Sequence, residues 1–245
     1  MYAVTRNREK VARLHSVERD FRMATSLVKV APQKPLEDPL AYLPCSSVLE
    51  FRKGDVIYNH DQPHQDLYLV LTGTVKVTRL SDHGNQLLVD LYATDDFFGE
   101  AAFVNTSQAM EQATAHQNTT LMAWKASDIE ELILKRPMLA VALLQAFGQR
   151  SIGLTQRLES LSNDRIDRRL ARSLIRFADR MGTTREDGGI QMEPLTHELL
   201  AQYVGTSREL ITCHMTNFRK LGYLEYSRRA IVVHRDALGA WVREN

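Results

Sequence analysis

Short apolar runs broken at regular intervals by turn-formers occupy positions 48 to 125. Val56-Ile57-Tyr58, Leu67-Tyr68-Leu69-Val70-Leu71, Val75-Lys76-Val77, Leu87-Leu88-Val89 and Leu121-Met122-Ala123-Trp124 have the β-branched and aromatic content of strands. Lys53-Gly54-Asp55, Asp61-Gln62-Pro63, Thr72-Gly73, Asp82-His83-Gly84-Asn85 and Thr94-Asp95-Asp96 separate them. That rhythm predicts a sandwich or barrel-like β domain over residues 39–137. At Asp128 the period changes to helical, Pro137 interrupts, and a long helix over 138–163 follows. Ala140, Leu144, Phe147, Ser151, Leu154, Leu158 and Leu161 recur alternately four and three apart. Two helices supercoil at this period and bury one face against each other. A helix packed only on its own domain shows a wider stripe. Here Gln145, Gln149, Gln156, Arg157 and Glu159 flank a narrow seam, which predicts a dimerisation helix.

A second helix is expected from Ile166 to Met181, with Leu170, Leu174, Ile175 and Ala178 on one face, followed by a polar loop from Gly182 to Gly189. Thr196 suits the N-cap of a helix through Val204. Gly205 allows a tight turn, and a further helix starts at Thr206-Ser207-Arg208-Glu209 and reaches about Leu221. Two short helices around a glycine form a helix-turn-helix, whose second helix enters the major groove of DNA. Ile211, Met215, Phe218 and Leu221 are expected to be buried. Arg208, Glu209, Thr212, Cys213 and Thr216 fall on the other face: Arg matches guanine with two donors, and Glu accepts from cytosine. Thr206 and Glu209 also stand in the spacing of a capping box, a local role for Glu209 that is compatible with base reading. Leu224-Glu225-Tyr226 and Ile231-Val232-Val233 bracket a basic turn with Arg228 and Arg229, a wing placed to meet backbone phosphates; a plain solvated hairpin is the alternative.

The net charge of +1 says little, but its distribution says more. Residues 1–36 carry 8 Lys/Arg against 3 Asp/Glu, residues 37–163 carry 9 against 16, and residues 164–245 carry 14 against 11. An acidic middle is repelled by phosphates, so nucleic-acid contact is expected from the ends. The basic N-terminal stretch, residues 1–38, ends in a proline cluster (Pro32, Pro35) and reads as a largely disordered arm with a short helix around Val11 to Ala24. No apolar run reaches membrane-spanning length, and no secretory signal opens the chain. Cys45 and Cys213 lie far apart, which fits a reducing cytoplasm and argues against a disulfide scaffold. None of the 8 histidines forms a convincing ligand pair. Glycine-rich phosphate loops, nucleophile elbows and paired-carboxylate motifs are absent, so no metal, cofactor or enzymatic activity is expected. A sensor acting only through protein partners, with a vestigial C-terminus, conflicts with the intact face Arg208, Glu209 and Thr212.

Three motifs carry a family resemblance over about Leu43 to Arg235. Phe51-Arg52-Lys53-Gly54-Asp55-Val56-Ile57 with Leu67 to Val77, then Asp96-Phe97-Phe98-Gly99-Glu100, then Val204-Gly205-Thr206-Ser207-Arg208-Glu209, resemble the cyclic-AMP receptor protein / fumarate-nitrate reduction regulator family of bacterial transcription factors. The resemblance implies an α+β fold: an N-terminal cyclic-nucleotide-binding-type β jelly roll, a long dimerisation helix and a C-terminal winged helix-turn-helix at 164–245. It implies a homodimer on a palindromic double-stranded DNA operator, with RNA polymerase as a partner. The effector pocket would include Gly99, Glu100, Met110, Glu111, Leu154 and Thr155. Family members that bind cyclic AMP place an Arg-Ser pair about ten residues beyond the Gly-Glu motif. This chain has Met110-Glu111 there, and at the two adenine contacts of the long helix it has Leu154 and Thr155. Binding is therefore expected to be independent of cyclic AMP, with the effector unidentified. Cys213 stands where the family often has a second guanine-reading Arg. A small side chain fitted to the groove is the expectation, and a redox-sensitive contact the alternative.

Overall fold

The computed structural model describes residues 36–61, 64–80, 86–104 and 111–244; the basic arm and its expected short helix lie outside them. Eight strands come first: β1 (Val48–Phe51), β2 (Val56–Tyr58), β3 (Asp66–Thr72), β4 (Val75–Leu80), β5 (Gln86–Tyr92), β6 (Phe97–Phe98), β7 (Glu111–Ala115) and β8 (Thr119–Lys125). They form two four-stranded sheets, ordered β1-β8-β3-β6 and β2-β7-β4-β5, with every pairing antiparallel. β3 shows why its apolar run is unbroken. Tyr68 and Val70 join Tyr58, Val75, Val77, Phe98 and Leu121 in a core shared by the two sheets. Leu67 and Leu69 face the other way, into a second core with Leu43, Trp124, Ile129, Leu139 and Leu143. A strand covered on both faces has no solvent side on which to place alternate polar residues. At the β3–β4 turn Gly73 has φ +86°, and a Cβ there would lie 2.4 Å from the Asn118 carbonyl oxygen, so only glycine fits.

The helices are α1 (Ala126–Lys135), α2 (Met138–Asn163) and α3 (Ile166–Met181). Pro137 sits at the N-cap of α2, where its missing N–H costs nothing. Then come β9 (Thr183–Thr184), β10 (Ile190–Met192), α4 (His197–Val204), α5 (Arg208–Lys220), β11 (Leu224–Tyr226), β12 (Ile231–Val233) and α6 (Arg235–Glu244). The last four strands form one antiparallel sheet, β11-β12-β10-β9.

The C-terminal core is not self-contained. Leu170, Leu174 and Phe177 of α3, Leu200 and Tyr203 of α4, and Ile211, Met215 and Phe218 of α5 are joined by Leu88 and Leu91 from β5 of the roll. Polar groups reinforce the junction. The Arg157 guanidinium on α2 donates to the carbonyls of Leu88 (3.0 Å), Val89 and Tyr203 (3.0 Å), and lies 4.0 Å from the Tyr203 ring centre. Asp90 of β5, only 1% exposed, lies 3.4 Å from both Arg176 and Arg180 on α3. Arg180 also reaches Asp96 at 2.6 Å.

Candidate nucleic-acid interface

The turn between α4 and α5 is fixed by local hydrogen bonds. The Thr196 hydroxyl caps α4 by accepting from the Leu199 N–H at 3.1 Å. Gly205 adopts φ +72°, ψ 54°, the left-handed conformation that glycine adopts without a Cβ penalty. Ser207, not Thr206, is the N-cap of α5, accepting from the Leu210 N–H at 3.4 Å. That shift puts Leu210, not Glu209, third in the helix, so the Thr206–Glu209 capping box does not form. Glu209 instead accepts from its own backbone N–H and from the Ser207 hydroxyl, which hold its carboxyl below the usual range.

Along α5, Ile211, Met215 and Phe218 are fully buried. Arg208, Glu209, Thr212 and Cys213 are exposed, and Thr216 is half-buried. Leu221 departs from expectation: it is 54% exposed, because it is the C-cap residue, where the chain turns away through Gly222 at φ +76°. Arg228 and Arg229 are exposed at the β11–β12 turn. That turn is closed by the Ser227 N–H donating to the Ala230 carbonyl at 2.9 Å and by the Arg229 N–H donating to the Ser227 hydroxyl at 3.1 Å. Two residues of this surface escaped the sequence reading. His197 Nδ1 is 2.8 Å from the Thr212 hydroxyl, and its ring meets Tyr226 edge-on at 5.6 Å. Tyr226 lies under the Arg219 guanidinium at 4.9 Å, with its hydroxyl 3.4 Å from that of Thr216. The available signal was His197 directly after the cap of α4, at the end that crosses α5.

Inside the roll, Gly99 has φ +89°, and a Cβ there would lie 2.7 Å from the Asp66 carbonyl oxygen. Glu100 is paired with Arg150, which reaches in from α2 and lies 4.7 Å from the Tyr92 ring centre. Burial pushes the Glu100 carboxyl up, and the same holds for Glu111 on β7, with Arg79 offsetting part of that. The hydroxyl of Tyr58 feels Glu111, Glu100 and Arg150 together, and burial first, then these carboxylates, push its pKa up. His64 stacks on Tyr58 at 4.0 Å, and Tyr68 on Phe98 at 5.0 Å, so aromatic rings fill much of this interior. Leu154 is half-buried, whereas Thr155 is exposed and its hydroxyl donates to the Ser151 carbonyl at 3.0 Å. Met110 lies outside the described residues.

The seam of α2 divides. Phe147 packs on the core beneath the roll, and Ala140 and Leu154 are half-buried. Leu144 is 73% and Leu158 65% exposed, with Ser151 and Leu161 also classed as exposed. No described helix is long and apolar enough to cross a membrane.

Comparison with known proteins agrees with this geometry. The model of the cyclic nucleotide-binding domain matches residues 48–136, and that of the Crp-like helix-turn-helix domain matches residues 168–241. The chain is 25% identical over 186 residues to a CRP-like cAMP-activated global transcriptional regulator of Mycobacterium tuberculosis, covering 76% of this chain and 83% of that one. It is 28% identical over 181 residues to the transcriptional regulator SdrP of Thermus thermophilus, covering 72% and 84%. The structure of FixK2 from Bradyrhizobium japonicum shares the fold with a TM-score of 0.71 at 20% identity, covering 80% of this chain and 97% of that one. The Mycobacterium tuberculosis and Thermus thermophilus relatives are transcriptional regulators by name. With the roll, the long helix and the reading helix in this order, the chain belongs to the cyclic-AMP receptor protein / fumarate-nitrate reduction regulator family.

Proposed function

We propose that the protein is a sequence-specific transcription regulator of the cytoplasm that acts as a homodimer on a palindromic operator and does not require cyclic AMP. The observation that carries this reading is the division of α5: Ile211, Met215 and Phe218 are wholly inside, while Arg208, Glu209, Thr212 and Cys213 are exposed at its N-terminal half. A helix so anchored presents its outer face as a rigid unit to base edges, and Arg228 and Arg229 flank it for phosphates. A second copy along α2 would cover Leu144 and Leu158, and the two reading helices would then favour half-sites about one helical turn apart. RNA polymerase is the expected partner once the operator is bound.

Independence of cyclic AMP rests on the Glu100–Arg150 pair. A nucleotide phosphate would have to displace Glu100 from the Arg150 guanidinium and would meet the negative charges of Glu100 and Glu111. The test is calorimetric titration with cyclic AMP and cyclic di-GMP, together with gel-shift measurements on DNA selected by the protein. The expected result is operator binding unchanged by either nucleotide. Micromolar binding of cyclic AMP accompanied by tighter operator binding would refute independence.

A further inference from the structure

Thr212 is exposed on the reading face, yet its hydroxyl is engaged inside the protein. Oγ1 donates to the Arg208 carbonyl at 2.9 Å and lies 2.8 Å from His197 Nδ1. A hydroxyl has one proton, and here it goes to the carbonyl. The imidazole is therefore the donor, through Nδ1–H, in both its neutral and its protonated form. The ring is not free to swing away, because it packs edge-on against Tyr226 at 5.6 Å. Tyr226 is in turn held between Arg219 and the Thr216 hydroxyl. With its only proton given to the Arg208 carbonyl and one lone pair to His197, the Thr212 hydroxyl cannot donate to a base; beside its second lone pair, Thr212 offers a partner its methyl group. Threonine methyls make apolar contact with the C5-methyl of thymine, the one apolar feature a base pair displays in the major groove.

We propose that His197 is a specificity-determining positioning residue: it ties the Thr212 hydroxyl to the protein so that Thr212 meets the groove with its methyl group and favours thymine at one operator position. This rests on the docking of α5 argued above. It assigns a function to a residue of α4 that lies outside the reading helix and need not touch a base itself.

The experiment starts from an operator selected by the wild-type chain from random DNA. Affinity is then compared for this operator and for versions in which single thymines are replaced by deoxyuridine, which lacks only the C5-methyl. One position should weaken about three- to five-fold, the effect of removing one methyl from an apolar contact. Thr212→Val keeps the methyl and should keep that ratio. Thr212→Ser and His197→Leu should bring it close to one, and His197→Asn, which keeps a donor at the position of Nδ1, should restore it. Recovery of the ratio in His197→Asn but not in His197→Leu separates positioning from a general loss of folding. A ratio near one at every thymine for the wild type, or loss of the base preference in Thr212→Val, overturns the inference. If Arg208→Ala still alters the selected sequence in that case, the docking of α5 stands and only the role of His197 falls. If the wild type selects no sequence at all, the docking falls and this inference with it.

Discussion

Arg208 and Arg228 are both exposed cations of the C-terminal half, yet their removal is expected to have different consequences. Arg208 stands at the first position of α5, where a guanidinium reaches base edges. Arg208→Ala is expected to cost roughly 1–3 kcal/mol on the operator and to relax one G·C position. Arg228 lies at the wing turn, so Arg228→Ala is expected to weaken all sequences alike and to lower the salt dependence of binding. Selection from random DNA with each variant distinguishes the two; an unchanged sequence preference in Arg208→Ala would mean that α5 is not the reading element. Histidine supplies a second prediction on this scale. Burial lowers the pKa of His64 from the usual 6.5, its Nδ1 engages the Asp66 carbonyl at 3.2 Å, and its Nε2 is buried without a partner. Below about pH 6.5 the unfolded chain takes up a proton that the folded chain resists, so this contribution to stability is lost as the pH falls. His64→Gln lacks that dependence. The stability of the wild type relative to this variant, read from urea unfolding, is expected to fall between pH 7.5 and 5.5; a constant difference would show that His64 titrates normally in the fold.

At the scale of elements, β5 shows what can and cannot be read from a chain. Leu87-Leu88-Val89 identified it as a strand, but not which core it would serve. Its Leu88 and Leu91 belong to the C-terminal core, and the charged residue between them, Asp90, meets arginines about ninety residues away. Nothing local announces such a pairing. Arg157 was legible as a flank of the α2 seam, whereas its three carbonyl contacts depend on α4 arriving beside β5. β7 escaped notice because its buried positions are Ala113 and Ala115, small residues that a central strand tolerates but that give little apolar signal. α6 escaped because its buried Leu238 and Val242 are only one turn apart in a short segment. The helix-turn-helix was legible nearly to the residue, since caps, a left-handed glycine and a 3–4 apolar repeat are all local. The choice between the adjacent hydroxyls of Thr206 and Ser207 as cap, the exposure of Leu221, and the contacts of His197 and Tyr226 needed coordinates. The junction can be tested directly. Asp90→Ala would leave Arg176 partly buried without its carboxylate, while Arg180 would keep Asp96, at a cost of roughly 3 kcal/mol. Urea unfolding of this variant is expected to show that loss, and a change under 1 kcal/mol would mean that water already screens the cluster.

For the whole molecule the open matter is the partner of α2. Leu144 and Leu158 are largely solvent-exposed in the single chain, so replacing both by Lys costs its own fold little. In the proposed dimer the same change would bring like charges together near a two-fold axis. Sedimentation is expected to show a dimer for the wild type and a folded monomer for the double variant. A variant that remains a dimer would move the interface elsewhere.

The sharing of Leu88 and Leu91 also limits how this protein could be recombined. The two matched domains read as separable cassettes, one ending at residue 136 and the other starting at 168. A hybrid regulator built by moving residues 164–244 onto the sensing half of a relative would inherit a reading head with a missing piece of its interior. Unless the new host strand supplied two leucines and an acidic group in the register of Leu88, Asp90 and Leu91, the head would present raw apolar surface and two unmatched arginines. A hybrid that keeps the interior of the reading head intact therefore has to carry β5 along with it, although some seventy residues of chain lie between them.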